Sequence, residues 1–289
     1  MVGLTKELKS KYDADGFVTI PSFLSENELN DMKQEAQKLL NAFDPTDHPK
    51  TMFSTEESGK GHVGDRYFLE SEDKIRYFLE EEAVDANGKL LVPNDKAINK
   101  IGHGLHVLNP VFSAVSLSSS IKEIANTLGF KDPLVLQSML IFKQPRIGGS
   151  VPSHQDSSFL YTDPPSAVGF WFALEDCTIY NGCLEFVPGS HKTAPITKRF
   201  VTKEDGSGTM FIDISKEPAP VVDNSEFHTV EVKAGSLVII HGSVIHRSAP
   251  NRSEKSRHIY TFHMIEGAYS YDEKNWLQPR TKPFTKLFA

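Results

Sequence analysis

Ser236-Leu237-Val238-Ile239-Ile240-His241, a Gly242-Ser243 step, then Val244-Ile245-His246-Arg247-Ser248: two short apolar runs stand almost back to back. Ala234-Gly235 precedes them and Pro250-Asn251 follows. Short apolar runs bounded by turn residues read as strands. The same texture extends to both sides, with candidate strands at residues 134–142, 168–174, 183–187 and 257–264. Gly148-Gly149, Asn181-Gly182 and Pro188-Gly189 mark turns between them. Many short strands at this spacing predict a sandwich or barrel. Residues 203–226, polar and rich in Gly and Pro, read as a long excursion of a length that is often functional.

Upstream of residue 131 the pattern is mostly helical. Residues 5–15 read as a short helix and 16–20 as a strand stopped by Pro21. Ser25 and Glu28 form a capping box, and Leu29, Met32, Ala36, Leu39, Leu40 and Phe43 follow at helical spacing. Residues 45–66 read as loop. Ser71 is expected to open another helix, with Ile75, Phe78 and Leu79 on one face. Asn87-Gly88 is a turn signal. Asn109-Pro110 opens a third helical block, broken near 116–120 and ended at Gly129. The expected fold is mainly β, a barrel core over 131–265 with supporting helices from a helix-rich 1–130.

Composition bounds the function. The chain has 289 residues, 39% hydrophobic and 24% charged, enough apolar material for a core. No run approaches the ~20 apolar residues of a membrane span. The first twelve residues carry Lys6, Lys9 and Lys11 without an apolar stretch, so no secretory leader is expected. Lys286-Leu287-Phe288-Ala289 is not a peroxisomal tripeptide. Two cysteines, Cys177 and Cys183, suit free thiols in the cytoplasm better than a disulfide scaffold. A net charge of −7 offers no basic footprint for a nucleic-acid partner. Nothing in the chain sets an oligomeric state.

Pro152-Ser153-His154-Gln155-Asp156-Ser157 carries the chemistry. In extended backbone, residues two apart share a face, so His154 and Asp156 project together. A third ligand must come from afar. The stretch 239–248 offers His241 and His246; spacing alone allows either, and His246, at the end of an apolar run and on one face with Ser248, is preferred. Two histidines and one carboxylate form a facial triad, which leaves open positions suited to non-haem Fe(II). His103 and His106 read as structural. Arg257 stands eleven positions after His246, beyond the turn 250–253. A hairpin of that length is expected to bring it beside the His246 strand. A guanidinium fork there can take the far carboxylate of a keto acid chelated by the metal, with Ser248 adding a hydroxyl hydrogen bond.

His154-Gln155-Asp156, His246-Arg247-Ser248 and Arg257 resemble the phytanoyl-CoA dioxygenase family of Fe(II)/2-oxoglutarate oxygenases. Asp15-Gly16-Phe17-Val18 is similar to the family's opening strand, and Asn181-Gly182-Cys183-Leu184 with Val187-Pro188-Gly189-Ser190-His191 to its signature. The resemblance covers nearly the whole chain, so 1–289 is expected to be a single domain. It implies a double-stranded β-helix, a cupin-like jelly roll of eight core strands. It implies iron ligands at His154, Asp156 and His246, with 2-oxoglutarate contacts at Ser248, Arg257, Lys100, Met139 and Trp171. The cofactors implied are Fe(II), the co-substrate 2-oxoglutarate and O2, and the activity is hydroxylation of a small or acyl-type substrate coupled to release of succinate and CO2. Lys192, Lys198, Arg199 and Lys203 are cations that a CoA ester would need. An apolar wall from Phe159 to Tyr161, joined by Phe170 and Phe172 if they face inward, would shield the site. Two other readings stay open: a cupin-like metalloenzyme without 2-oxoglutarate, and a non-catalytic 2-oxoglutarate sensor on the same fold.

Overall fold

The structure is a computed structural model and describes residues 3–49, 51 and 65–288. Most of the expected 45–66 loop therefore lies outside the described residues.

Thr5 accepts from the Leu8 N–H and caps α1 (Lys6–Asp15); Gly16, at φ 84°, ends it and turns the chain into β1 (Phe17–Ile20). The Ser25–Glu28 capping box forms and opens α2 (Glu26–Asn41), which buries Met32, Ala36 and Leu40. A cap of this kind contributes about 1 kcal/mol. Beyond it lie β2 (Ile75–Leu79) and β3 (Ile98–His103). Asn109 caps α3 (Pro110–Ser116), with proline in its first turn, and Ser118 caps α4 (Ser119–Leu128), which Gly129 terminates. The barrel strands follow: β4 (Pro133–Lys143), β5 (Val151–His154), β6 (Val168–Ala173), β7 (Leu184–Phe186), β8 (His228–Val230), β9 (Leu237–His241), β10 (His246–Ser248) and β11 (Arg257–Glu266).

These strands pair antiparallel. The large sheet runs β1-β9-β6-β11-β4-β3-β2, and the small one β8-β7-β10-β5. Strands β4 to β11 thus divide four and four between two facing sheets, a double-stranded β-helix, while β1, β2 and β3 from the N-terminal third extend the large sheet. Side chains alternate along each strand. Tyr260, Phe262, Met264, Phe170 and Phe172 face outward into the main apolar core with Met32, Leu40 and Phe112 of the helices. The opposite face of the same strands carries Trp171, Ala173 and Ile259 into a smaller core between the sheets, with Phe186 and Val238. Each fully buried large apolar side chain stabilises by roughly 1.5–3 kcal/mol, so the helix-covered face anchors the sheet and leaves the inner face available for chemistry.

Two sequence expectations fail here. The helix after Ser71 is instead the strand β2, paired to β3. Apolar residues at 75, 78 and 79 are too few to separate a helical from a strand period, and Ile75, Tyr77 and Phe78 suit a pleated surface. The polar excursion is not all loop: Thr209–Asp213 inside it pairs as a hairpin with the strand Lys198–Thr202 just before it. Among the described residues, no helix is long and apolar enough to cross a membrane.

The Asn181-Gly182 turn takes its glycine at φ 81°. An added Cβ there would lie 2.4 Å from the Ala249 carbonyl oxygen. Gly182→Ala is expected to lower stability by about 1–3 kcal/mol, seen as a reduced urea midpoint at unchanged m. An unmoved midpoint would contradict this packing of the turn.

Candidate active site

Val151–His154 is extended, Gln155 continues the extended backbone, and Asp156 opens a 3-10 turn, so the His-x-Asp pair reaches one side of the barrel. His246 begins β10, which pairs with β5 and sets His246 opposite His154. The two imidazole rings are 4.2 Å apart. Asp156 Oδ1 lies 3.4 Å from His154 Nε2 and 3.8 Å from His246 Nε2. One ligand atom from each of the three residues falls within 4.8 Å of the others.

The tautomers suit a cation. His154 Nδ1 is 2.9 Å from the Pro152 carbonyl and His246 Nδ1 is 3.1 Å from the Val244 carbonyl. A carbonyl only accepts, so both Nδ1 atoms carry a proton and both Nε2 atoms face Asp156. Burial, with His154 alongside, pushes His246 down to about 4 and keeps it neutral. Burial opposes charge on Asp156, but His263, His246 and His154 outweigh it and hold the carboxyl well below the usual range. Burial also works against a charged His154, and the Asp156 carboxylate reverses the balance and raises its pKa. With a cation displacing any proton from His154 Nε2, two imidazole nitrogens and one carboxylate converging on a point are a donor set for a divalent transition metal.

His241, the alternative on spacing, stands apart. It packs against His191 and Tyr12, accepts from the Ser243 N–H, and is pushed to about 4 by burial. His103 and His106 are buried and bonded to Ser71 and Ser138, which fits a structural role.

Arg257 lines the same cavity as the triad, a space of about 850 Å³, but not by the route that spacing suggested. β11 pairs with β4 and β6 in the large sheet, and β10 pairs with β5 and β7 in the small one. After Ser248 the chain crosses between sheets, so Arg257 faces the His246 strand across the barrel and is not its neighbour. Arg257 is 2% exposed. Its Nε has no hydrogen-bond partner, and no ion pair holds it among the described residues. Its Cζ lies 5.6 Å from the centre of the Trp171 ring. An arginine stays charged in proteins, so this is a buried cation facing a cavity without its anion.

Lys100, Met139, Trp171 and Ser248 also line this cavity and are buried. Burial lowers the Lys100 amine well below the ordinary lysine value, and its Nζ sits over the rings of Phe68 and Phe78. Met139 shares its inward face with Gln137 and Ile141, as alternation predicts. Phe170 and Phe172 face the helices instead, because Trp171 between them takes the inner face. Of residues 159–161, Phe159 and Leu160 reach the cavity; Phe200 and Phe211, from the hairpin that sequence reading missed, pack their rings against Phe159. Arg199 is taken by Asp272 at 2.7 Å and Lys192 by the Ala14 carbonyl, while Lys198 lines the cavity.

His263 and Gln137 were not singled out from sequence. His263 Nε2 lies 3.3 Å from Asp156 Oδ2, and its Nδ1 lies 3.4 Å from Gln137 Nε2. The available signal was alternation along β11, which puts Arg257, Thr261 and His263 on one face of the strand.

Cys177 and Cys183 are free and buried, and burial pushes their thiols to about 12 and about 11. Both are expected to resist alkylation in the native protein and to label fully once it is unfolded without reductant. A 177–183 disulfide found by mass spectrometry would contradict this.

The sequence profile of the phytanoyl-CoA dioxygenase family matches residues 12–259. A phytanoyl-CoA dioxygenase domain-containing protein 1 homolog of Caenorhabditis elegans is 46% identical, over 94% of this chain and 95% of its own. Phytanoyl-CoA dioxygenase domain-containing protein 1 of Bos taurus is 44% identical, over 100% of both chains. Among solved structures, EctD from S. alaskensis with 2-oxoglutarate and 5-hydroxyectoine superposes at a TM-score of 0.63, with 16% identity over 96% of this chain and 85% of its own. The non-heme alpha ketoglutarate dependent carbocyclase SnoK from nogalamycin biosynthesis gives 0.60, with 18% identity over 93% and 86%. These two structures share the fold.

Proposed function

The chain belongs to the phytanoyl-CoA dioxygenase family, and from that premise we propose that it is an Fe(II)- and 2-oxoglutarate-dependent dioxygenase that hydroxylates a small or acyl-type substrate. The observation that carries this reading is one cavity holding both a two-histidine, one-carboxylate cluster and an unpartnered buried arginine. His154 Nε2, His246 Nε2 and Asp156 Oδ1 would hold the metal. Arg257, helped by Ser248, would take the far carboxylate of 2-oxoglutarate, and Lys100, Met139 and Trp171 would complete its walls. Bound Fe(II) with 2-oxoglutarate supplies the means to split O2, placing one oxygen atom in succinate, formed with CO2, and the other on a substrate carbon.

The chain's own work is to bind, orient and exclude water. Phe159, Phe200 and Phe211, with rings 5.1–5.5 Å apart, form a dry wall beside His154. The unpartnered guanidinium weighs against a cupin-like enzyme without 2-oxoglutarate, since such an enzyme has no use for a carboxylate clamp. The rest of the proposal is a cytoplasmic protein with a small-molecule partner and no nucleic acid, in keeping with its acidic charge. The test is succinate formation from 2-oxoglutarate with Fe(II) and O2, first alone and then across a metabolite panel. Slow uncoupled turnover that a panel member accelerates is the expected result. Tight 2-oxoglutarate binding with no succinate under any condition would favour the sensor reading.

A further inference from the structure

Asp156 has two oxygens with different surroundings. Oδ1 faces His154 and His246, whereas Oδ2 faces His263 Nε2 at 3.3 Å. His263 lies on β11, directly opposite Gln137 of β4 on one side and Gly169 of β6 on the other. Gln137 Nε2 meets His263 Nδ1 at 3.4 Å. An amide nitrogen only donates, so Nδ1 accepts, the ring proton sits on Nε2, and Nε2–H donates to Asp156 Oδ2. The small residue opposite makes the approach possible. A Cβ on Gly169 would come within 3.3 Å of Asp156 Oδ2 and 3.4 Å of His263 Nε2.

We infer that His263, set in its tautomer by Gln137, is a positioning residue that holds Asp156 with Oδ1 alone turned to the metal. The inference rests on the iron reading above and adds a third histidine, one that touches no metal. A carboxylate free to rotate could offer both oxygens and take up a coordination position that the co-substrate needs. A donor fixed on Oδ2 prevents this and keeps one face of the ion open. Partners of this kind around metal ligands typically change metal affinity by about 10–100-fold when removed. The chain of contacts also ends in the cavity: Gln137 Oε1 is buried there without a hydrogen-bond partner.

The experiment is an anaerobic titration of metal-free protein with Co(II), read by its visible absorption, with thermal melts of each metal-free variant to establish folding. His263→Leu should weaken Co(II) binding about 10–100-fold and change the spectrum. His263→Gln, which keeps a donor at similar reach, should recover most of the affinity. Gln137→Met, which leaves His263 in place but frees its tautomer, should show a smaller loss and keeps the test available if His263→Leu does not fold. In metal-saturated His263→Leu the KM for 2-oxoglutarate should rise, because a freed Asp156 carboxylate would compete for the position the co-substrate needs. Wild-type affinity and spectrum in folded His263→Leu, or in Gln137→Met, would overturn the positioning role. Failure of the wild-type protein to bind one Co(II) would overturn the metal reading itself, a separate result.

Discussion

Asp156→Ala is expected to abolish 2-oxoglutarate turnover while the protein stays folded. Asp156 is the only carboxylate in the cluster, and Oδ1 is the atom that both Nε2 atoms face. Its removal leaves two neutral imidazoles, a donor set that holds a divalent ion poorly. The loss should exceed the ~10–100-fold that an outer partner costs. The fold should survive, because the main core lies on the other face of the large sheet, among Phe170, Phe172, Phe262 and the helices. Circular dichroism and a thermal melt check the fold, and succinate formation checks the activity. His241→Ala is the control: His241 packs on Tyr12 and His191, and its loss should leave metal content intact. Full activity in Asp156→Ala, or metal loss in His241→Ala, would contradict the ligand set.

Arg257→Met should change stability and binding in opposite directions. The guanidinium is a buried charge whose Nε has no hydrogen-bond partner and which forms no close ion pair among the described residues. Replacing buried charge by an apolar side chain of similar length is often stabilising by about 1–4 kcal/mol, so the metal-bound, ligand-free variant should melt higher than wild type. The same change removes the clamp. One charge-assisted hydrogen bond is worth about 1.5–3 kcal/mol, or about one to two decades in affinity. Wild-type protein at 2-oxoglutarate a hundredfold above its Kd should gain about 2.7 kcal/mol, and the variant far less at the same concentration. Thermal melts with Mn(II), with and without 2-oxoglutarate, read both effects. Arg257→Lys should fall between, since an ammonium offers a point charge in place of a planar fork. An undiminished 2-oxoglutarate shift in Arg257→Met would remove the clamp from the account.

Much of the fold is legible in the amino-acid sequence, for identifiable reasons. The strands at 134–142, 168–174, 236–241 and 257–264 are long, apolar and bounded by turns, and each appears within a residue or two of its expected limits. The Ser25–Glu28 box worked because capping is a local contest between a few side-chain and backbone groups. Local signals were insufficient at β2, where five residues fit either period and pairing with β3 decides. They were also insufficient at the 198–213 hairpin, where polar residues and glycines concealed the two strands. Arg257 is instructive in another way. Spacing put it near His246, but through the wrong contact, because residue separation says nothing about which of two sheets a strand joins. The pairing of His263 with Asp156 is of the same kind: alternation placed His263 on the inner face, and only the assembled barrel brings it to a residue 107 positions away.

The central claim is that one cavity binds a metal at the triad and the keto acid between that metal and Arg257. A crystal structure of protein soaked without oxygen in Fe(II) and 2-oxoglutarate tests it most directly. The account predicts metal density on His154 Nε2, Asp156 Oδ1 and His246 Nε2, and the far carboxylate against Arg257 and Ser248. Metal bound elsewhere, or 2-oxoglutarate seated away from Arg257, would contradict it.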